Sequence, residues 1–116
     1  MIDVSKKVDT LVFDLDGVIC KEEPQNWKHY YSVVPNIDII YKLNVLSKRG
    51  YKIVIHTSRL EEDRDITVNW LRRYGVNYNE LRFNKPKGLI YVDDKSVRPD
   101  EFINLELGET DVSITD

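Results

Sequence analysis

Three short apolar runs in this chain each stop on side chains that can bind charge. Leu11-Val12-Phe13 runs into Asp14 and Asp16, Ile53-Val54-Ile55 into Thr57 and Ser58, and Leu89-Ile90-Tyr91-Val92 into Asp93 and Asp94. Such runs, rich in β-branched residues and bounded by turn residues, predict buried strands, the first over Val8 to Phe13 and the second over Tyr51 to His56. The second is continuously apolar rather than alternating, as in a sheet covered on both faces. Helical patterns fill the gaps. From Asn36 to Arg49, Asn36 can cap, Asp38 sits in the positive first turn, and Ile40, Leu43 and Leu46 form a stripe before Lys48, Arg49 and a terminating Gly50. A second helix is predicted after Thr57-Ser58-Arg59. Glu61, Glu62, Asp63 and Asp65 fill its first turns, Ile66, Trp70, Leu71 and Tyr74 supply its buried face, and Arg72 and Arg73 precede Gly75. Weaker extended character lies near Glu80 to Phe83.

Strands alternating with helices in this way predict an α/β domain with a mostly parallel sheet and right-handed crossovers. Ligands of such sheets collect outside the carboxyl ends of the strands. Polar groups far apart in sequence are therefore expected to meet at one rim. At 116 residues the chain has room for one domain with a real core. We assign residues 1–107 to that domain and 108–116 to a polar tail. Seventeen basic against twenty acidic residues argue against a broad nucleic-acid-binding surface. No stretch approaches a membrane span or the apolar part of a signal peptide, and a lone Cys20 forms neither an intramolecular disulfide nor a thiolate zinc site. A reducing, cytoplasmic setting is the simplest expectation.

Asp14-Leu15-Asp16-Gly17 carries the most chemistry. Residues alternate along a strand, so the two acids would share a side if the chain stayed extended, and Gly17 lets it turn. Two carboxylates and a backbone carbonyl would then meet at one point. An oxygen-only cluster of that kind repels itself unless a cation neutralises it, and its ligands suit Mg²⁺. The same spacing also fits two solvated acids, a glycosyltransferase diphosphate clamp or the acidic pocket of a receiver domain.

Residues 19 to 35 have no period, and Trp27, Tyr30 and Tyr31 lie there between Pro24 and Pro35. They are read as aromatics covering the core edge, with a stacking platform as the sharper alternative. Cys20 is read as a packing residue. His56 should face away from Thr57 and serve packing or support. Arg59 could reach an anionic substrate, but at a loop-to-helix junction it is expected on the surface.

In order along the chain, Val12-Phe13-Asp14-Leu15-Asp16-Gly17, Val54-Ile55-His56-Thr57, Lys85 and Tyr91-Val92-Asp93-Asp94 resemble the four motifs of the haloacid dehalogenase (HAD) superfamily, specifically its Mg²⁺-dependent phosphatases. The resemblance implies a single three-layer Rossmann-like domain. It implies Asp14 as the nucleophile that becomes a transient aspartyl phosphate, and Asp16 as acid for the leaving group and then base for the water. Thr57 would bond the transferring phosphoryl group, with Ser58 nearby at the helix start, and Lys85 would bridge nucleophile and phosphate. Asp94, with Asp93 beside it, would complete a Mg²⁺ shell begun by Asp14 and the Asp16 carbonyl. Lys87 is a rival for the lysine role. Lys85 is preferred because it stands before Pro86, as the family's lysine often does.

Dehalogenases of the superfamily lack an acid at the position of Asp16, so the resemblance points to phosphoester hydrolysis or phosphotransfer. About forty residues separate the first two motifs and fewer than thirty separate Thr57 from Lys85. Neither gap holds a large cap domain. A capless site is open to a large substrate or to closure by a partner subunit, including a second copy in a homo-oligomer. The expected substrate is a phosphorylated compound such as a sugar phosphate, a nucleotide or a polynucleotide end. A non-catalytic module that keeps the fold and binds a phosphorylated ligand is the alternative.

Overall fold

The structure, a computed structural model, describes residues 8–24, 26–88 and 96–107. The predicted strand at Leu89 to Val92, Asp93 and Asp94, and the 108–116 tail lie outside the described residues. Within them, three strands, β1 (Thr10–Phe13), β2 (Lys52–His56) and β3 (Glu80–Arg82), form a wholly parallel sheet in the order β1-β2-β3. Helix α1 (Ile37–Lys48) joins the first pair and α2 (Arg64–Arg73) the second, with α3 (Pro99–Asn104) following. Phe13 pairs in register with Ile55, and Val54 with Glu80. Parallel neighbours need such crossovers, and both step the same way along the sheet, which puts α1 and α2 on one face under the right-handed rule.

The core agrees with that placement. Phe13, Ile53 and Ile55 from one face of the sheet join Ile39, Leu43 and Leu46 of α1, Trp70 and Leu71 of α2 and Phe102 of α3 in a single apolar cluster. Val54 is also buried but stands outside that cluster, on the opposite face. The continuous Ile53-Val54-Ile55 run is thus buried throughout. Asn36 caps α1 as expected, its side chain accepting the Ile39 N–H at 3.4 Å. The acid-rich start of the second helix is instead a separate 3₁₀ turn, Glu61–Asp63, and α2 proper begins at Arg64. Ile66 and Tyr74 are only half-buried, whereas Thr67 is fully buried.

Side chains complete what short elements leave open. Asn79 extends the β2 edge, its carboxamide oxygen accepting the Ile53 N–H while its own N–H donates to the Ile53 carbonyl, both at 2.8 Å. The ammonium of Lys42 on α1 donates to the carbonyls of Phe102, Ile103 and Leu105 and lies over the Phe102 ring. It thereby satisfies the orphan carbonyls at the end of α3 and ties that helix down.

Residues 21 to 34 leave and rejoin the domain at one neck. The Lys21 N–H donates to the Val34 carbonyl and the Asn36 N–H to the Ile19 carbonyl, both at 2.8 Å, and Cys20 bridges to Pro35. The loop holds a 3₁₀ turn at Trp27–His29 and is pinned from outside by the buried Trp70 indole, whose N–H donates to the Val33 carbonyl at 3.0 Å. No large cap interrupts the described chain. Among the described residues no helix is long and apolar enough to cross a membrane.

Candidate active site

The site is built where β1 and β2 end. Past Phe13 the chain turns at Gly17, whose φ of +87° lies in the left-handed region. A Cβ there would meet nothing within 4 Å, so glycine is required by the turn and not by a close neighbour. Between the two acids, Leu15 is fully buried and its carbonyl accepts the Cys20 N–H at 2.9 Å, which anchors the turn in the core. Asp14 and Asp16 stay at the rim on either side of it.

The two carboxylates have different partners. Asp14 Oδ1 accepts the Leu15 N–H at 2.8 Å, and Oδ2 lies 3.6 Å from the Lys85 ammonium. Asp16 is gripped by Arg59: Nε to Oδ2 at 3.0 Å and Nη2 to Oδ1 at 2.7 Å. Parallel charge-assisted bonds of this kind are the strong ones and fix the carboxylate plane.

Lys85 reaches Asp14 because the chain after β3 keeps hydrogen-bonding to the segment that follows β2. The Thr57 N–H donates to the Arg82 carbonyl, the Lys85 N–H to the Thr57 carbonyl and the Asn84 N–H to the Arg59 carbonyl, each at 2.9 Å. Asn84 has a φ of +62°, a left-handed conformation that asparagine tolerates, and the kink there delivers Lys85 just before Pro86. Thr57 is fully buried, and its Oγ1 accepts the Arg59 N–H at 3.1 Å. Asp14, Thr57 and Lys85, distant in sequence, thus sit together at one end of the sheet.

Arg59 corrects the sequence expectation. It is 3% exposed, not on the surface, because the partly buried Asp16 offers a counter-charge and Thr67 Oγ1 accepts from Nη1 at 3.2 Å. The Tyr30 ring stacks on the guanidinium at 3.8 Å. Burial pushes the Tyr30 phenol up, with the Arg59 charge pulling it back. Of the aromatic cluster, Tyr30 therefore belongs to the site, Tyr31 is half exposed beside Arg73, and the Trp27 side chain lies outside the described part.

Two neighbours have their titration shifted by their surroundings, and one of them, Cys20, is thereby kept from nucleophilic work. Cys20 is fully buried, and burial, reinforced by the Asp16 charge, pushes its thiol up to about 12. It stays protonated at neutral pH, in keeping with the packing role. His56 is half-buried and held below its ordinary value first by burial, then by the Lys85 and Arg82 charges. An open cavity of about 560 Å³ lies beside Arg59, lined by Asn26, Tyr30, Ser58, Arg59, Asp63 and Lys87 among others. Ser58 and Lys87 thus face this cavity, while Lys85 faces Asp14.

Among the described residues no group of three or more His, Cys, Asp or Glu side chains stands ready for a metal. The side-chain oxygen donors at this rim are the Asp14 and Asp16 carboxylates, and the Cys20 sulfur beside them is protonated and buried. That donor set fits a hard cation such as Mg²⁺ and not a thiolate-seeking one.

Solved structures supply the comparison. A crystal structure of an MCSG target from Vibrio cholerae matches with a TM-score of 0.72 and 30% identity, over 86% of this chain and 91% of that one. The chain belongs to the same family as that Vibrio cholerae protein. Two structures of the Pnkp1/Rnl/Hen1 complex, one described as an RNA repair complex, match at 22% identity with TM-scores of 0.59 and 0.58. They cover 88% of this chain but only 36% and 33% of those chains, so the likeness is one of fold. No protein-family model matches the sequence, and no curated protein matches it significantly.

Proposed function

We propose that this protein hydrolyses phosphate monoesters with Mg²⁺ through an aspartyl-phosphate intermediate, as a small capless phosphatase of the HAD type. The observation that carries the reading is the meeting of Asp14, Lys85 and Thr57 at one strand end, with Asp14 Oδ2 3.6 Å from the Lys85 ammonium. An Asp-x-Asp used only as a solvated strand end needs neither that lysine nor that threonine.

In this reading an Asp14 carboxylate oxygen attacks phosphorus. The Asp14–phosphorus bond forms as the ester oxygen leaves, and Asp16 gives that oxygen its proton. Water then attacks the acyl phosphate, Asp16 takes the water's proton, and phosphate and free Asp14 are released. Lys85 offsets the charge gathered on Asp14 and the phosphoryl oxygens. The Thr57 hydroxyl, whose oxygen already accepts the Arg59 N–H, is left to donate its proton to a phosphoryl oxygen. Asp14 and the Asp16 carbonyl would hold Mg²⁺ together with Asp93 or Asp94, and the bound ion supplies positive charge that brings the two anions together.

The open cavity beside Arg59, the partner of Asp16, would take the leaving group, and Ser58 stands on its wall. A phosphorylated polynucleotide end is one substrate class to include, given the fold shared with chains of an RNA repair complex. Sugar phosphates and nucleotides are the others. The test is a Mg²⁺-dependent screen across these three classes with Asp14→Asn as the control. Turnover in wild type, lost in chelator and in Asp14→Asn, supports the reading. Equal phosphate release by Asp14→Asn overturns it. Tight binding of phosphorylated compounds without turnover favours the non-catalytic alternative.

A further inference from the structure

Among the described residues Arg59 is the one buried cation at the rim, and the reaction outlined above gives it no part. Four groups hold it at once: both Asp16 oxygens, at 2.7 and 3.0 Å, the Thr67 hydroxyl at 3.2 Å, the Tyr30 ring at 3.8 Å and, at longer range, the Cys20 sulfur at 3.9 Å. Its backbone is fixed too, the N–H on Thr57 Oγ1 and the carbonyl on the Asn84 N–H. A guanidinium constrained on its face, its edge and its backbone has no freedom left to follow a substrate.

We propose that Arg59 is the positioning residue for Asp16. It sets the plane of the carboxyl group that exchanges protons with leaving group and water, and Tyr30 makes the 21–34 loop part of the same device. The inference rests on the phosphatase reading above. A carboxylate has about four lone-pair directions, and a side-on fork takes one from each oxygen. The clamp therefore orients Asp16 without using up the direction through which it meets the reacting oxygen. Asp16 sits on a turn rather than in the sheet, so its own backbone does little to hold the side chain. The guanidinium is linked to three separate pieces of chain: the turn at Asp16, the interior of α2 through Thr67, and the loop through Tyr30.

The arrangement explains two features that the sheet alone leaves without a reason. Thr67 is a fully buried hydroxyl inside the apolar face of α2, and it accepts from the guanidinium. Tyr30 lies in a loop with no periodic pattern, yet its ring covers a face of the Arg59 guanidinium while the polar partners take its edges. Lysine could supply the charge but not the two parallel bonds.

A positioning role acts on proton transfer, so its loss should depend on the leaving group. An activated aryl oxide departs with little help from an acid, whereas an alkoxide needs the proton. The ratio kcat/KM reports the steps through departure of the leaving group and is the quantity to compare. For Arg59→Lys and Arg59→Met, we expect kcat/KM on an alkyl phosphate to fall about 100-fold, with a loss on p-nitrophenyl phosphate about tenfold smaller. Tyr30→Ala, at a half-buried position, should show the same bias at about threefold, and it carries the test if the Arg59 variants fail to fold. Equal losses on both substrates in folded Arg59 variants and in Tyr30→Ala, or no loss, overturn the inference. Wild-type turnover of both esters and its absence in Asp14→Asn are read first. If they fail, the phosphatase reading falls; if they hold and the bias is missing, only the role of Arg59 falls.

Discussion

Replacing Lys85 by methionine separates the catalytic reading from a merely structural one. The ammonium stands 3.6 Å from Asp14 Oδ2, and the two side chains are 15% and 42% exposed. At an effective dielectric of about 20, unit charges at that distance interact by about 4 to 5 kcal/mol. Water around the half-exposed Asp14 screens part of this, and some of the remainder is present in the ground state as well. A differential of about 3 kcal/mol in the transition state is the reasonable residue, in line with the loss of one preorganised donor, and corresponds to about 100-fold in rate. The fold should feel little, because Asp14 stripped of its partner can hydrate. Phosphate release from an aryl phosphate, with thermal unfolding in parallel, is the assay. We expect kcat/KM to drop about 100-fold with unfolding free energy changed by less than about 1 kcal/mol. Lys87→Met, on the cavity wall, should lose no more than about fivefold. A Lys85→Met enzyme within threefold of wild type, or a larger loss in Lys87→Met, would refute the assignment.

Two further outcomes test the scaffold around the site. Trp70→Phe leaves a small void and strips the Val33 carbonyl of its donor, so urea unfolding should show a loss of about 2 to 3 kcal/mol; a change below about 1 kcal/mol would mean that water replaces the indole. His56 is held below its ordinary value of about 6.5 by burial and by Lys85 and Arg82. As pH falls below that value the unfolded chain binds the proton that the folded one resists, so this contribution is present above the ordinary value and is lost on acidification. Urea midpoints at pH 7.5 and 5.5 should therefore differ less in His56→Gln than in wild type, and an unchanged difference would contradict the account.

The sequence was most readable where local chemistry and fold agree. Asn36, Asp38 and Gly50 bracket α1 through backbone groups only a few residues away, and the Ile53-Val54-Ile55 run declares a two-sided strand by itself. Asp14, Thr57 and Lys85 could be brought together in advance because each closely follows a strand or its continuation in a parallel sheet, whose topology does the assembling. Arg59 is not legible in the sequence, for a reason of the opposite kind. Burying an arginine depends on partners that no local pattern reveals, and its partners come from a turn 43 residues earlier and from the next helix. A fully buried threonine within the apolar face of α2 was the available sign. Tyr30 was equally hidden, since a loop without period gives no direction to its side chains. Helix α3 gives little sequence signal beyond Pro99 at its first position and Glu101, whose carboxylate accepts the Arg98 N–H at 2.9 Å. At six residues it has too little pattern to stand out, and Lys42 from α1 supplies what it lacks.

The central claim is that Asp14 carries the phosphoryl group. The direct measurement is an acid quench during turnover of a phosphate monoester with Mg²⁺, followed by proteolysis and mass spectrometry of the peptide containing Asp14 and Asp16. The account expects a phosphoryl adduct on Asp14 that hydroxylamine removes and that is absent from Asp14→Asn. Turnover with no protein adduct, together with undiminished activity in Asp14→Asn, or an adduct on any other residue, would contradict it.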